Sequence, residues 1–191
     1  AILNDVLDLS KIEAGRMRVE RIPCSLRQIV EETLSLLRVR AEQKGLALDV
    51  EWAHPLPASI QSDPVRLRQI LNNLVGNAIK FTEHGGITLR LELLPATSAS
   101  GPLLAVDVVD TGIGLSEADQ VRIFEAFAQA DATLARRHGG SGLGLTISRA
   151  LARLLGGDLT VSSAQGRGGV FPPCLATGSP ERVRLRAAPH A

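Results

Sequence analysis

Residues 63–82, DPVRLRQILNNLVGNAIKFT, decide the fold. Asp63 followed by Pro64 is a strong helix start, because an aspartate side chain caps free amide groups and proline fits the first turn. The helix is expected to continue until the glycines at 85–86. One side of it is apolar and is predicted to face the core: Leu67, Leu71, Leu74, Ala78 and Phe81.

A second, polar stripe runs along the same helix. Gln69, Asn73, Asn77 and Lys80 follow one another at spacings of four, four and three, within a stripe roughly 80° wide. Asparagine is a poor helix former, and a solvated face usually carries Glu, Lys and Arg instead. Amide oxygens suit a hard cation such as Mg²⁺, and a lysine suits phosphate oxygens. The spacing alone does not decide between two interpretations of this stripe, a ligand-binding face and a solvated face.

Two glycine-rich segments follow this helix. In VDVVDTGIGL (residues 106–115), Asp110 ends a strand before Gly112 and Gly114. Alone, this pattern is most often a turn. The alternative is a binding site in which the Asp110 carboxylate accepts hydrogen bonds from the amino group of a base. In RRHGGSGLGLTIS (residues 136–148), glycines precede an apolar helix, where free amide groups can bind an anion. The second segment matches neither a P-loop nor a dinucleotide fingerprint.

The remaining pattern mixes helices and strands. Residues 1–15 form an amphipathic helix that needs a partner, as at the end of a helical hairpin or coiled coil. Ser25 caps a long helix that ends at Gly45. Strand patterns occur at 17–24, 46–52, 87–94, 103–110 and 158–163, and a short capped helix starts at Ser116. The mixture predicts an α+β sandwich of one sheet and one helical layer.

Composition limits the class of protein. The 191 residues include 21 Lys and Arg and 20 Asp and Glu, which gives a net charge of +1. This charge gives no reason to expect a nucleic-acid partner. Cys24 and Cys174 form neither a disulfide framework nor a metal-ligand spacing, which favours a reducing compartment. The chain begins in helical rhythm without a Met, and we expect it to be a fragment. The proline-rich residues 172–191 lack periodicity and predict a disordered or aberrant tail.

Four motifs in this order resemble the N box, first glycine box, F box and second glycine box of histidine-kinase catalytic domains: NNLVGNAIKFT, DTGIGL, FEAFAQAD and GGSGLGL. These domains belong to the gyrase/chaperone/histidine kinase/MutL ATPase superfamily. ILNDVLDLSKIEAG is similar to the end of the dimerisation helix in hybrid sensor kinases. The resemblance implies a Bergerat-type two-layer α/β sandwich at residues 16–171. Residues 1–15 would be the end of the dimerisation and phosphoacceptor hairpin, an N-terminal helical stub.

The resemblance also implies ligands and roles. ATP and Mg²⁺ would be the cofactors. Asn77 would ligate the metal, and Asn73 and Lys80 would contact metal-bound water or phosphates. Asp110 would hold the adenine amino group beside Gly112 and Gly114. The phosphates would be surrounded by Gly140, Ser141, Gly142, Leu143 and Gly144. Residues 129–140 would form an ATP lid, with Phe124 and Phe127 anchoring its base.

One position separates the reaction classes. Topoisomerase and chaperone ATPases of the superfamily carry a water-activating glutamate where this chain has Asn73, and an amide cannot act as a carboxylate base. The expected reaction is therefore phosphoryl transfer to a protein nucleophile, by positioning and charge neutralisation. The resemblance implies that this nucleophile is a histidine, which receives the γ-phosphoryl group of ATP. Asn73 is accordingly the catalytic candidate. An inactive nucleotide-binding module, an ATP hydrolase and a serine kinase of the same fold remain the alternatives.

The partners expected from the resemblance lie outside this chain. They are a dimerisation domain that carries the acceptor histidine and a receiver domain or response regulator. None of His54, His84, His138 and His190 has a phosphoacceptor context, so the chain is expected to be inactive by itself. The parent protein is expected to be a homodimer. The domain is expected to be cytoplasmic, whether or not its parent is attached to a membrane.

Overall fold

The computed structural model of the chain describes residues 2–53, 56–94, 103–128, 141–164, 168–171, 173–176 and 185–186. Its helices are α1 (Ile2–Glu13), α2 (Leu26–Gln43), α3 (Pro64–Phe81), α4 (Glu117–Arg122) and α5 (Gly144–Leu154). None of these helices is both long and apolar enough to cross a membrane.

Seven strands within the described ranges form the main sheet. They are β2 (Ala47–Trp52), β5 (Gly86–Leu94), β6 (Leu103–Asp110), β7 (Asp158–Leu159), β8 (Ser162–Ser163), β9 (Gly169–Phe171) and β10 (Pro173–Ala176). Their order is β2-β5-β6-β10-β7, and β9 pairs with both β6 and β8. Only the pairing of β2 with β5 is parallel among them.

Four shorter strands form two small ladders. β1 (Ile22–Cys24) pairs antiparallel with β4 (Ile60–Ser62), and β3 (Leu56–Pro57) pairs antiparallel with β11 (Leu185–Arg186). The strand predicted at 17–24 is therefore confined to its last three residues. The pattern at 158–163 is divided between β7 and β8.

The core lies between the main sheet and the layer of α2, α3 and α5. Alternate residues of β5 and β6 face it and are fully buried: Ile87, Leu89, Leu91, Leu104, Val106 and Val108. This alternation is the pattern of a sheet with one covered face. The predicted two-layer α+β sandwich is confirmed.

α3 is the most deeply buried helix of this layer. Seven of its residues are buried, and they include Leu67, Leu71, Leu74 and Ala78 from the predicted apolar side, whereas Phe81 is half-buried. The predicted start is confirmed, because the Asp63 carboxylate accepts from the amides of Val65 and Arg66, each at 3.0 Å.

The structure differs from the expected disordered or aberrant tail at β10. Cys174 lies opposite Ala105 of β6 and Asp158 of β7, so this segment is inside the main sheet. Pro173 is the first residue of the strand, a position where the missing amide of proline is tolerated. Of residues 172–191, only those of β10 and β11 are among the described ones.

Candidate functional site

The polar stripe of α3 meets the start of α5. The Asn73 side-chain amide donates to the hydroxyl of Ser148, with Nδ2 and Oγ 2.8 Å apart. Gly144, the first residue of α5, lies so close that a Cβ there would overlap Asn73 Oδ1. The glycine at 144 is therefore a packing requirement. The backbone of the second glycine segment rests directly on the side chain of Asn73.

The first glycine segment packs against the C-terminal end of α3. A Cβ at Gly112 would lie 2.7 Å from the carbonyl oxygen of Phe81 and 2.8 Å from Asp110 Oδ1, closer than real carbon contacts allow. The Gly112 amide donates to the same carboxylate oxygen at 2.8 Å. α3 thus joins the two segments, which are separate in sequence.

Asp110 ends β6 beside this turn and is 9% exposed. Burial raises the pKa of its carboxyl group, and hydrogen bonds from the backbone amides of Gly112 and Gly169 counteract part of that rise. A buried carboxylate needs hydrogen-bond donors, and it has acceptor capacity beyond two amides. Gly114 lies at φ +68, against the carbonyl of Ala164.

Asn77 and Lys80 lie on α3 between the two segments, and both side chains are half-buried. Burial lowers the pKa of the Lys80 ammonium, whose Nζ lies 4.6 Å from the centroid of the Phe81 ring. Along α3, Asn73 and Thr82 are separated by roughly 13 Å at 1.5 Å per residue. Polar groups thus line a path between the two glycine segments.

The C-terminal end of α3 is held by a lysine that the motifs did not reveal. Lys44 Nζ donates to the carbonyl oxygens of Ile79, Lys80 and Thr82 at 2.7, 3.0 and 3.0 Å. A cation there satisfies free carbonyls and complements the helix dipole. Sequence reasoning also missed Ser148, whose only signal is its position one turn after Gly144 on the same helix.

The two phenylalanines of the F box differ in their surroundings. The Arg149 guanidinium carbon lies 4.6 Å from the centroid of the Phe124 ring, and Thr146 Oγ1 donates to the Phe124 carbonyl at 2.9 Å. Phe127 is 67% exposed and has a φ of 64°. Its amide donates to the carbonyl of Gly142 at 3.1 Å, so it joins the second glycine segment through its backbone.

Two other predicted contacts of the phosphates lie in the described part of the second glycine segment. Leu143 is fully buried in the core, so only its backbone can face a ligand. Ser141 is half-buried, and its Oγ accepts from the amide of Leu143 at 3.3 Å. Gly140 and the predicted lid at 129–140 lie outside the described residues.

The sequence model of the family described as "Histidine kinase-, DNA gyrase B-, and HSP90-like ATPase" matches residues 62–172. The chain belongs to this family. The matched range starts just before α3 and contains both glycine segments. These are the elements that form the site described above.

Named relatives of this ATPase domain are histidine kinases and sensor proteins. The chain is 48% identical over 171 residues to the signal transduction histidine-protein kinase BarA of Escherichia coli K12, covering 90% of this chain and 18% of BarA. It is 46% identical over 171 residues to the sensor protein GacS of Pseudomonas syringae pv. syringae, covering 90% of this chain and 19% of GacS. The chain thus spans less than a fifth of these relatives.

Solved structures agree with this family assignment. Full-length ShkA in complex with AMPPNP is 34% identical and superposes with a TM-score of 0.79, covering 93% of this chain and 36% of ShkA. The catalytic domain of the histidine kinase ThkA is 24% identical with a TM-score of 0.68, covering 86% of this chain and 99% of that domain, and supports the fold alone. The fold of the chain is that of histidine-kinase ATPase domains.

We predict that Gly144→Ala lowers the free energy of unfolding by about 1–3 kcal/mol, because the new methyl group overlaps Asn73 Oδ1 and forces α5 away from α3. Urea denaturation measures this change. In the Asn73→Ala background the same substitution should cost much less, since the overlapping atoms are gone.

Gly76→Ala is the matched control for this prediction. A Cβ at Gly76, in the middle of α3, comes no closer than 4.0 Å to a neighbouring atom. This substitution should therefore raise the free energy of unfolding by about 0.5–1 kcal/mol. Additive effects of Gly144→Ala and Asn73→Ala would contradict the packing described here.

Proposed function

We propose that this domain binds Mg·ATP and supports transfer of the γ-phosphoryl group to a histidine on a dimerisation domain. The observation that carries the proposal is the position of α3 between the two glycine segments. Asp110 and Gly112 meet its C-terminal end, while Gly144 rests on Asn73 nearer its middle. A nucleoside triphosphate that lies along this path would meet a hydrogen-bond acceptor for its base at one end. At the other end it would meet hydrogen-bond donors for its phosphates.

Asp110 is proposed to hold the adenine amino group. A carboxylate is an acceptor, and the exocyclic amino group of adenine is a donor, so the pair is complementary. Burial makes the carboxylate costly without donors, and a base amino group would provide one. Gly112 and Gly114 would form the adjoining wall, where the backbone can approach the ligand closely.

Lys80, Asn77 and the second glycine segment are proposed to hold the phosphates and their metal ion. Mg²⁺ is usually bound by one or two protein oxygens together with phosphate oxygens and water, and the amide oxygen of Asn77 fits that donor set. When bound with ATP, Mg²⁺ would neutralise phosphate charge. Ser141, Gly142, Leu143 and Gly144 would contribute backbone amides and one hydroxyl, and Gly140 is proposed on the resemblance alone.

Asn73 distinguishes this proposal from ATP hydrolysis. Its side chain donates to Ser148 and has no carboxylate with which to activate water. Its contact with metal-bound water or phosphate stays a prediction. The proposed reaction therefore depends on positioning and charge neutralisation, as phosphoryl transfer generally does.

The names of the relatives and the exposed apolar residues of α1 support the proposed partners. BarA is named a signal transduction histidine-protein kinase and GacS a sensor protein. We propose a dimerisation domain with the acceptor histidine, a homodimeric parent, and a receiver domain or response regulator as the next phosphoryl acceptor. Leu3, Val6 and Leu7 on α1 are exposed apolar residues suited to a helical partner.

Titration with AMPPNP in the presence and absence of Mg²⁺ tests the proposed ligand contacts. Asp110→Asn should weaken binding roughly 10- to 100-fold, because a charged acceptor for the adenine amino group is lost. Asn77→Ala should remove most of the difference between Mg²⁺ and EDTA. Asn72→Ala, which changes the neighbouring asparagine on another side of α3, is the control and should leave affinity unchanged. Unchanged affinity in the first two variants would overturn the site assignment.

Phosphoryl transfer requires a second protein that carries the complete helical hairpin. With ATP and Mg²⁺, the mixture should accumulate acid-labile, alkali-stable phosphate on that protein, as expected for a phosphohistidine. If nucleotide binds but no such phosphate forms, the domain is a nucleotide-binding module without transferase activity. Steady ATP turnover without an acceptor would instead support a hydrolase.

A further inference from the structure

α1 is docked against α3 by a closed polar network that includes Gln69 of the polar stripe. Gln69 Nε2 donates to Asp8 Oδ2 at 2.8 Å, and Arg66 Nη1 donates to Gln69 Oε1 at 2.9 Å. Arg66 Nη1 also lies 3.6 Å from the same Asp8 oxygen, and the two side chains are 23% and 17% exposed. Leu9 and Ile12 of α1 pack against the core beside this network.

One turn earlier, the same face of α1 reaches the second glycine segment. Ser141 Oγ donates to Asp5 Oδ2 at 3.3 Å, across 136 residues of sequence. The Ser141 oxygen also accepts from the Leu143 amide at 3.3 Å. A hydroxyl has a single proton to donate, so while α1 is docked that proton is directed at Asp5.

Asp5 places a negative charge where the proposed function needs positive groups. Ser141 is among the residues proposed to bind the phosphates, and a carboxylate at hydrogen-bond distance from it repels a phosphate that approaches the same hydroxyl. In the part of the chain that the structure describes, Asp5 forms no ion pair that would offset this repulsion.

We propose that Asp5 and the triphosphate compete for Ser141, so that docked α1 weakens Mg·ATP binding and bound Mg·ATP releases α1. This inference rests on the proposed function and adds regulation of the same site. The two effects must be equal in size, because coupling between binding events is reciprocal.

The opposite face of α1 offers a surface through which a partner could regulate this competition. Leu3, Val6 and Leu7 are exposed there, about half a helical turn away from Asp5 and Asp8. A partner that packs on this apolar face can change how α1 sits on the catalytic domain. Its effect then reaches the phosphates through the contact between Asp5 and Ser141.

The competition is tested by titrating the full chain with AMPPNP and Mg²⁺ at low and high salt. Asp5→Asn keeps the shape of the side chain and removes its charge, so it should tighten binding roughly threefold at low salt and less at high salt. Glu13→Gln removes one negative charge from the exposed last turn of the same helix and is the matched control, expected to leave the affinity unchanged.

Hydrogen exchange of the α1 amides provides the reciprocal readout. AMPPNP with Mg²⁺ should speed exchange of residues 2–13 in the unmodified chain. Asp8→Asn weakens docking without touching Ser141, and should both speed exchange without nucleotide and tighten nucleotide binding.

Two results separate this inference from the proposed function. If the unmodified chain binds AMPPNP but Asp5→Asn binds it equally or more weakly, or if nucleotide protects α1 from exchange, the competition is wrong and the proposed function stands. If the unmodified chain does not bind AMPPNP at all, the proposed function itself is overturned, and the inference with it.

Discussion

The close contact between Asn73 and the start of α5 is the constraint on which the site depends. Gly144 has no side chain, so the backbone of the second glycine segment can rest on the Asn73 amide, and Ser148 accepts the amide proton one turn later. A polar side chain half-way along α3 thereby fixes the distance between the two helices. Asn77 and Lys80 follow on the same face, so their positions relative to the glycines are set by this contact.

The end of α3 is fixed by a different kind of force. Lys44 binds three carbonyl oxygens there, and Gly112 lies against the carbonyl of Phe81 with no room for a side chain. Lys44 thus fixes the last turn of α3, and the close packing of Gly112 places Asp110 beside it. Both glycine segments are therefore positioned by contacts with α3. The geometry of the candidate site depends on this one helix and on the two segments packed against it.

The sequence predicts the parts of this arrangement that depend on local chemistry. Asp63 and Pro64 mark the start of α3, and the spacing of Asn73, Asn77 and Lys80 places them on one face, because helix geometry is periodic. Both features are found as expected, as is the two-layer sandwich.

The contacts between distant segments were not predictable in this way. Lys44 lies 35 residues before Ile79, and Asp5 lies 136 residues before Ser141, so no local spacing reveals either contact. The strand at Pro173 was missed because proline argues against a strand, and only its position as the first residue explains why it is tolerated.

A crystal structure of this chain with AMPPNP and Mg²⁺ tests the central claim most directly. In that structure adenine is expected at Asp110, and the triphosphate beside Asn77, Lys80 and residues 141–144. Nucleotide bound away from α3 would contradict the claim.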